Sequence, residues 1–417
     1  MAANVLIAGG GIGGLAAALA CARHGHPVQL FERTAALAPV GAGIQLGPNV
    51  MRVLHGWGLA DAIQAVAAFP DELQVRSALV GSSLGRLRLG RTAVQRYGSL
   101  YATVHRADLQ AVLLAALQPH AAVQLTLNAS ITAFTQNGEG VTAQINGPSD
   151  AGPVSEVSGD LLVGADGLWS SVRQRLLGDG LPLATGYLAY RALVRQSDLP
   201  ANLRGHHITA WLGPQLHVVQ YPVRGDEWLN VVGFVQGEVQ AETRGLTTGL
   251  GQGALDNWDH STNAVALRAA MAGTCKPLQD LIQAIDLWRL WPLCSRPPMR
   301  SAREQALGRV ALLGDAAHPM LPYLAQGAGM AIEDAAVLAN CLGLGSKAGG
   351  KADLPARLQQ YASLRWQRNA RVQARALRNG HIFHATGLVA AGRDLSLKLL
   401  GERLLDVPWL YGQPAKT

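Results

Sequence analysis

The chain has 417 residues, 49% of them hydrophobic and 15% charged, which excludes a disordered chain and allows one large or two moderate domains. A net charge of +7 reads as electrostatic attraction of anionic small molecules, with nucleic acid as the rival partner. The four cysteines (Cys21, Cys275, Cys294, Cys341) are far apart with no C-x-x-C pair, which argues against zinc or a disulfide framework and suits a reducing, cytoplasmic location.

The first predicted elements are the most informative. Val5, Leu6 and Ile7 read as an apolar strand, followed by a turn with Gly9, Gly11 and Gly14 in G-x-G-x-x-G spacing. An alanine- and leucine-rich helix comes next, then a second apolar strand, Val28–Phe31, that ends at Glu32. Gly9 permits the tight turn, Gly11 lets the backbone approach a pyrophosphate, and Gly14 lets helix and strand pack closely. The helix N-terminus favours phosphate, and Glu32 is placed to accept hydrogen bonds from a ribose. Such glycines also occur in purely structural turns; the strand–turn–helix–strand–acid context predicts a dinucleotide site. The same run is no signal peptide, because it lacks a basic start and carries five glycines in six positions. No window approaches the roughly 20 apolar residues of a membrane span.

Further along, the glycine-rich loop 40–49 leads into a helix near Asn49–His55. Residues 73–91 alternate apolar and polar and predict short strands, and His105–Leu117 predicts a helix with Asp108 in its first turn. Strands follow near Gln124–Leu127, Ile131–Phe134, Val141–Ile145 and Asp160–Gly164. Residues 186–235 read as long antiparallel strands with a hairpin turn at Arg224–Glu227, and 254–290 as helical. Arg309–Leu313 is a buried strand before a Gly314-Asp315 turn and a helix over Gln326–Cys341; a glycine–lysine loop at 343–351 precedes a helical end. Arg365, Arg368, Arg371, Arg375 and Arg378 fall at helical spacing. Without aromatic interleaving they predict a solvated or ion-paired face, not a nucleic-acid surface.

Two later motifs carry chemistry. In 161–173 a strand ends at Asp166-Gly167, followed by Ser170 and Arg173; the aspartate can bond neighbouring groups and the arginine can neutralise phosphate. In 309–335 Asp315 can accept bonds from polyol hydroxyls, and the N–H groups near Gly327–Met330 favour negative charge. Each motif alone is compatible with ordinary strand-end punctuation; their order after the first turn is far more specific.

With these three signatures (Gly9–Gly14 with Glu32, Asp166-Gly167, Gly314-Asp315), the chain resembles the class A flavoprotein aromatic hydroxylases, the single-component FAD-dependent monooxygenases, over nearly its whole length. The resemblance implies an α/β fold: a Rossmann-like FAD-binding domain with an inserted, mainly antiparallel substrate sheet and a helical C-terminus. It predicts FAD-binding segments 1–72, 92–180 and 295–380, a substrate domain of 73–91 and 181–294, and a C-terminal helical segment 381–417. FAD is the expected cofactor, with NADH or NADPH a transient co-substrate that has no Rossmann unit of its own. By position, Gly9, Gly11, Ile12, Gly13 and Gly14 would face the FAD pyrophosphate, Glu32 and Arg33 the adenosine end, and Arg106 another part of FAD. Ile44 and Gln45 would lie beside the flavin ring, Asp315 would hold the ribitol, and Gly327, Ala328, Gly329 and Met330 would approach the pyrimidine edge. Asp166 would serve both FAD and the nicotinamide cofactor.

The string HPMLPYLAQGAGMAIEDAA resembles the branch acting on small hydroxylated aromatic acids: 3-hydroxybenzoate 6-hydroxylase, 6-hydroxynicotinate 3-monooxygenase and salicylate hydroxylase; the ending PWLYG resembles the hydroxybenzoate members, and His217 and Tyr221 match a His-x-x-x-Tyr pair of the first two. Four residues apart on a strand, His217 and Tyr221 share a face, roughly 13 Å from one another. A histidine can take a phenol proton and a tyrosine can orient a ring. Pro322 and Tyr323 are further substrate candidates, and His318 has a structural role by default. The mechanism implied is flavin reduction by NAD(P)H, capture of O₂ as the C4a-hydroperoxide, and attack by the phenolate. No metal is called for. Salicylate and 6-hydroxynicotinate rival 3-hydroxybenzoate as substrate. An isoprenoid epoxidase or reductase, or a non-catalytic FAD-binding regulator, is the more distant alternative; no membrane-associating C-terminus is legible to favour the former. A monomer or homodimer is expected.

Overall fold

The computed structural model describes residues 2–37, 42–147, 155–237, 260–343 and 353–412. The start of the 40–49 loop, the helix expected at 254–259 and the 344–351 loop lie outside them.

A six-stranded sheet runs in the order Ala306–Leu307, Val310–Leu312, Leu161–Gly164, Val5–Ala8, Val28–Phe31 and Val123–Thr126. All its pairings are parallel except the first, between Ala306–Leu307 and Val310–Leu312. Val5–Ala8 and Leu161–Gly164 are buried throughout, the near-continuous apolar signature of strands covered on both faces. One cover is the helix Ile12–Arg23 with the helix Gly327–Gly343; the other is an antiparallel three-stranded layer of Ser130–Gln136, Val141–Asn146 and Ser155–Gly159.

The second sheet has seven strands in the order Arg289–Ser295, Leu183–Arg195, Trp228–Gln236, Leu216–Val223, Ile208–Gly213, Glu72–Ser77 and Ser83–Arg88. Its pairings are antiparallel except between Ile208–Gly213 and Glu72–Ser77, which run parallel. A small sheet of Gly43–Leu46, Ala102–His105 and Ala67–Ala68 joins the two large ones. There Thr103 Oγ1 donates to the Pro222 carbonyl (2.5 Å), and the hairpin tip Arg224 grips Asp108 through two bonds of 2.6 and 2.7 Å.

Three features differ from the sequence reading. The helical stretch ends before Arg289, where Arg289–Ser295 adds an edge strand; Pro292, lacking an N–H, is tolerated at a sheet edge. The strand Ser155–Gly159 and the helix Gly90–Tyr97 were not expected; both are short, mostly polar segments without strong periodicity. The arginine stripe begins in the core: Arg365 bonds Glu333 (2.8 Å) and Asp334 (2.7 Å), Arg368 bonds Glu333, and Arg371 lies 3.9 Å over the Trp409 ring. Ion pairing, not solvation, accounts for its first two members.

The helix Gly387–Leu405 presents Leu388, Val389, Leu395 and Leu399 to solvent. No helix among the described residues is long and apolar enough to cross a membrane.

Candidate active site

The three glycine and aspartate motifs gather because the parallel sheet places them at the carboxyl ends of neighbouring strands. The Gly9–Gly14 turn follows Val5–Ala8, Asp166 follows Leu161–Gly164, and Asp315 follows Val310–Leu312. This crevice outside the strand ends is where open α/β sheets take ligands.

Each glycine of the turn has its own constraint. Gly9 adopts φ +100°, and an added Cβ would sit 2.5 Å from the Ala165 carbonyl oxygen. A Cβ on Gly14 would lie on the Gly9 carbonyl. At Gly11 the space is open, with only an Arg106 nitrogen at 4.0 Å. A backbone that close-packs at two glycines and opens at the third is a cradle for a ligand that needs close approach. Glu32 braces it: Oε2 accepts from Gly10 N (2.6 Å) and Oε1 from Thr34 N (2.9 Å). Ile12 is buried, Gly13 half-buried and Arg33 exposed beside Glu32. Arg106 is exposed at the start of its helix, which Arg224 anchors through Asp108.

Asp166 accepts from Ser170 Oγ (2.5 Å), Ser171 Oγ (3.0 Å) and Val172 N (3.1 Å), yet burial still raises its pKa. Arg173 is not free for phosphate. It is buried, pairs with Asp179 (2.6 Å) and donates to the carbonyls of Ala316 and Ala317, so it ties the Asp166 turn to the Asp315 turn. Asp315 has an exposed side chain, while the protein around it raises its pKa by desolvation. That combination belongs to a carboxylate lining an internal cleft. A Cβ on Gly327 would be 3.9 Å from Asp315 Oδ1, so the N-terminus of helix Gly327–Gly343 opens beside it. Gly327 and Ala328 are half-buried, whereas Gly329 packs on Val50 and Met330 is fully enclosed. The open cradle, the cleft carboxylate and the helix end fit an FAD.

His318 is part of the scaffold: its Nε2 meets Asp334 at 2.5 Å, inside the buried cluster of Asp334, Glu333 and Arg365. Burial pushes the Asp334 and Glu333 carboxyls up, but His318 and the arginines win and hold both below the usual range. This cluster fixes the helix whose end faces the cleft.

The seven-stranded sheet lies over the cleft, and its register fixes its inner face. His217 stands opposite Phe234, and Tyr221 opposite Asn230. Both residues therefore share a face, but each is already engaged. Tyr221 donates to the Gly43 carbonyl (2.6 Å), and Asn230 Oδ1 accepts from Gly43 N (2.6 Å). Together they clamp the strand that carries Ile44, half-buried, and Gln45, which accepts from Tyr101 Oη (2.7 Å). His217 is 1% exposed, stacked on Phe234 (centroids 4.3 Å) and edge-on to Tyr323 (5.0 Å). Its Nδ1 lies 2.7 Å from Nε2 of His384, at the end of helix Leu354–Phe383. Burial and His384 push the His217 pKa well down, and burial takes His384 to about 4. Both are neutral at pH 7.

Pro322 is half-buried and Tyr323 buried, its hydroxyl without a hydrogen-bond partner. An unpaired buried hydroxyl costs about 1–3 kcal/mol, so it is a group that gains from an arriving polar ligand. The sequence reading missed His384 and Arg191. No motif marks His384; the tyrosine–arginine sequence at 190–191 lies within a strand and looked like alternation. A separate groove of about 390 Å³, bordered by Arg23, Arg52 and Trp57, shares no residue with this cluster.

Residues 2–215 and 291–376 match the FAD binding domain family. The chain is 35% identical over 410 residues to 3-hydroxybenzoate 6-hydroxylase of Polaromonas naphthalenivorans, covering 98% of this chain and 95% of that protein. It is 36% identical to 6-hydroxynicotinate 3-monooxygenase of Bordetella bronchiseptica, over 89% of each. Among solved structures, Klebsiella pneumoniae HpxO complexed with FAD and uric acid superposes with a TM-score of 0.80 at 26% identity, covering 98% of this chain and 95% of that one. Glycine cradle, cleft carboxylate, covering sheet and these relatives agree: the chain belongs to the FAD binding domain family and is an FAD-dependent aromatic monooxygenase that uses NAD(P)H and O₂.

Proposed function

We propose that this enzyme hydroxylates 3-hydroxybenzoate to 2,5-dihydroxybenzoate, with salicylate and 6-hydroxynicotinate as the rival acids. The observation that carries the reading is the sheet face of His217, Tyr221 and the unpaired Tyr323 hydroxyl above the Asp315 cleft, in a chain alike over 98% of its length to a 3-hydroxybenzoate 6-hydroxylase. Bound FAD, reduced by NAD(P)H, supplies the oxygen chemistry. The chain's own residues hold, orient and deprotonate. The turn Gly9–Gly14 and Arg106 would hold the pyrophosphate, Glu32 and Arg33 the adenosine end, and Asp315 the ribitol. The backbone of Gly327, Ala328, Gly329 and Met330 would serve the pyrimidine edge, Ile44 and Gln45 one side of the ring, and Asp166 the cofactor-facing turn.

His217 takes the phenol proton. In the tautomer whose Nδ1–H donates to His384, Nε2 of His217 keeps its lone pair and can accept. Tyr221 acts on the ring position through Gly43, while Pro322 and Tyr323 contact the substrate. The chain divides into FAD-binding segments (1–72, 92–180, 295–380), a substrate part (73–91, 181–294) and a C-terminal segment (381–417). A cytoplasmic monomer or homodimer using NADH completes the reading; four free cysteines support the compartment.

The test is NADH oxidation by the FAD-loaded protein against 3-hydroxybenzoate, salicylate, 6-hydroxynicotinate and 4-hydroxybenzoate, with chromatography of products. Strong stimulation by 3-hydroxybenzoate with formation of 2,5-dihydroxybenzoate is expected. A hydroxylated product from a different acid alone replaces the substrate, and no stimulation by any acid overturns the reading.

A further inference from the structure

The middle row of the sheet face above the cleft is apolar apart from two arginines at one end. In that row Val219 stands opposite Val232, Val232 opposite Arg191, and Arg191 opposite Arg289. Ala189, two residues before Arg191, is in the row of His217; Leu193, two residues after, is in the row of Tyr221. Arg191 therefore stands between the two rows, about 7 Å along the strand from each.

Its guanidinium is 5.3 Å over the ring of Trp291, and its Nε is buried without a hydrogen-bond partner. Burial lowers its pKa and Arg106 adds repulsion, while Tyr221 and Asp315 act in the other direction. Desolvating an unpaired cation is costly, and placing a like charge directly opposite adds to the cost. An arriving carboxylate relieves both, and the planar fork of arginine matches it with two parallel bonds.

We propose that Arg191 is the anchor for the carboxylate of the aromatic acid, holding the ring between His217 and Tyr221. This rests on the aromatic-acid reading above and adds the residue that selects an acid over a neutral phenol. With the carboxylate held in the middle row, the ring is directed along the face toward the neighbouring rows, where a phenol hydroxyl meets His217.

The experiment uses the FAD-loaded enzyme and reads binding from perturbation of the flavin absorbance. Wild type, Arg191→Gln and Arg191→Lys are titrated with 3-hydroxybenzoate and with its neutral analogue 3-hydroxybenzamide, and KM for NADH is measured beside them. The expected result is an Arg191→Gln Kd for the acid raised at least about 30-fold, with the amide changed less than about 3-fold. Arg191→Lys should fall between, because it keeps the charge and loses the fork. Equal loss for acid and amide, or no loss for either, overturns the anchor. So does a loss of FAD from Arg191→Gln, which would assign the residue to the flavin. A raised KM for NADH with unchanged acid binding would assign it to the nicotinamide cofactor and overturn it too. If wild type binds none of the acids tested, the anchor falls together with the substrate class; if wild type binds and Arg191→Gln binds equally, only the anchor falls.

Discussion

His217 and Tyr221 illustrate how a side chain's chemistry is set by partners distant in sequence. His384, 167 positions away, sits on Nδ1 of His217, and Gly43, 178 positions away, takes the Tyr221 hydroxyl. The strand alternation that put both residues on one face was readable from the sequence; their partners were not, because nothing local encodes a contact across such separations. Burial keeps the His217 imidazole neutral to well below pH 6.5, so it remains a proton acceptor throughout the neutral range. Removing it as His217→Ala should lower coupled hydroxylation by about 100- to 10,000-fold, the usual yield of a positioned general base, and divert reducing equivalents to peroxide. The measurement is hydroxylated product per NADH consumed from about pH 6 to 9. Rate and coupling unchanged over that range would remove His217 from the base role.

Among elements, the first strand–turn–helix–strand unit was legible almost to the residue, because its determinants are local. An apolar strand, three glycines and an alanine-rich helix need no distant partner to declare themselves. The geometry adds a distinction between glycines that spacing alone does not contain. At Gly14 a Cβ would collide with the Gly9 carbonyl, whereas at Gly11 it meets open space near Arg106. Gly14→Ala should therefore lower the thermal midpoint even in FAD-free protein. Gly11→Ala should leave that midpoint within about 2 °C and weaken FAD binding at least about 10-fold, since its methyl intrudes only where the ligand approaches. Calorimetry and FAD titration of the two variants decide it; a destabilised, FAD-free Gly11→Ala would show that the space at Gly11 is structural. The edge strand Arg289–Ser295 went unread because its proline argues against a strand, and only the neighbouring strand Leu183–Arg195 supplies the pairing that makes it one.

For the whole molecule, pH couples the core to stability. Burial holds His26 and His384 at about 4, and His217 lies well below its ordinary 6.5. Between pH 6.5 and 4 the unfolded chain binds protons that the folded chain refuses, so this stability is complete above 6.5 and is lost as pH falls through that window. The loss amounts to roughly 3 kcal/mol each for His26 and His384. Glu333 and Asp334, ion-paired with Arg365 and held below their ordinary values, extend the loss to still lower pH. The thermal midpoint should decline steadily from about pH 7 to 4.5; a flat profile there would contradict the neutral, buried histidines. The sequence by itself determined the fold class, the FAD fingerprint and the order of the strands' motifs, because spacing and periodicity are local and survive without a structure. Tertiary structure alone decided which charges are spent and which are free. Arg365 and Arg368 were legible as a solvated or ion-paired face, and the structure makes them ion-paired members of a buried cluster. Arg173 looked like a phosphate ligand but joins two turns, and Arg191 looked like one letter of an alternating strand but holds a charge without a carboxylate partner among the described residues. The physical reason is common to all of them: the energy of a buried charge depends on what surrounds it in space, and those surroundings come from other elements, 31 positions away for Arg365 and Asp334 and 144 for Arg173 and Ala317, or from neighbouring strands whose register no local pattern fixes.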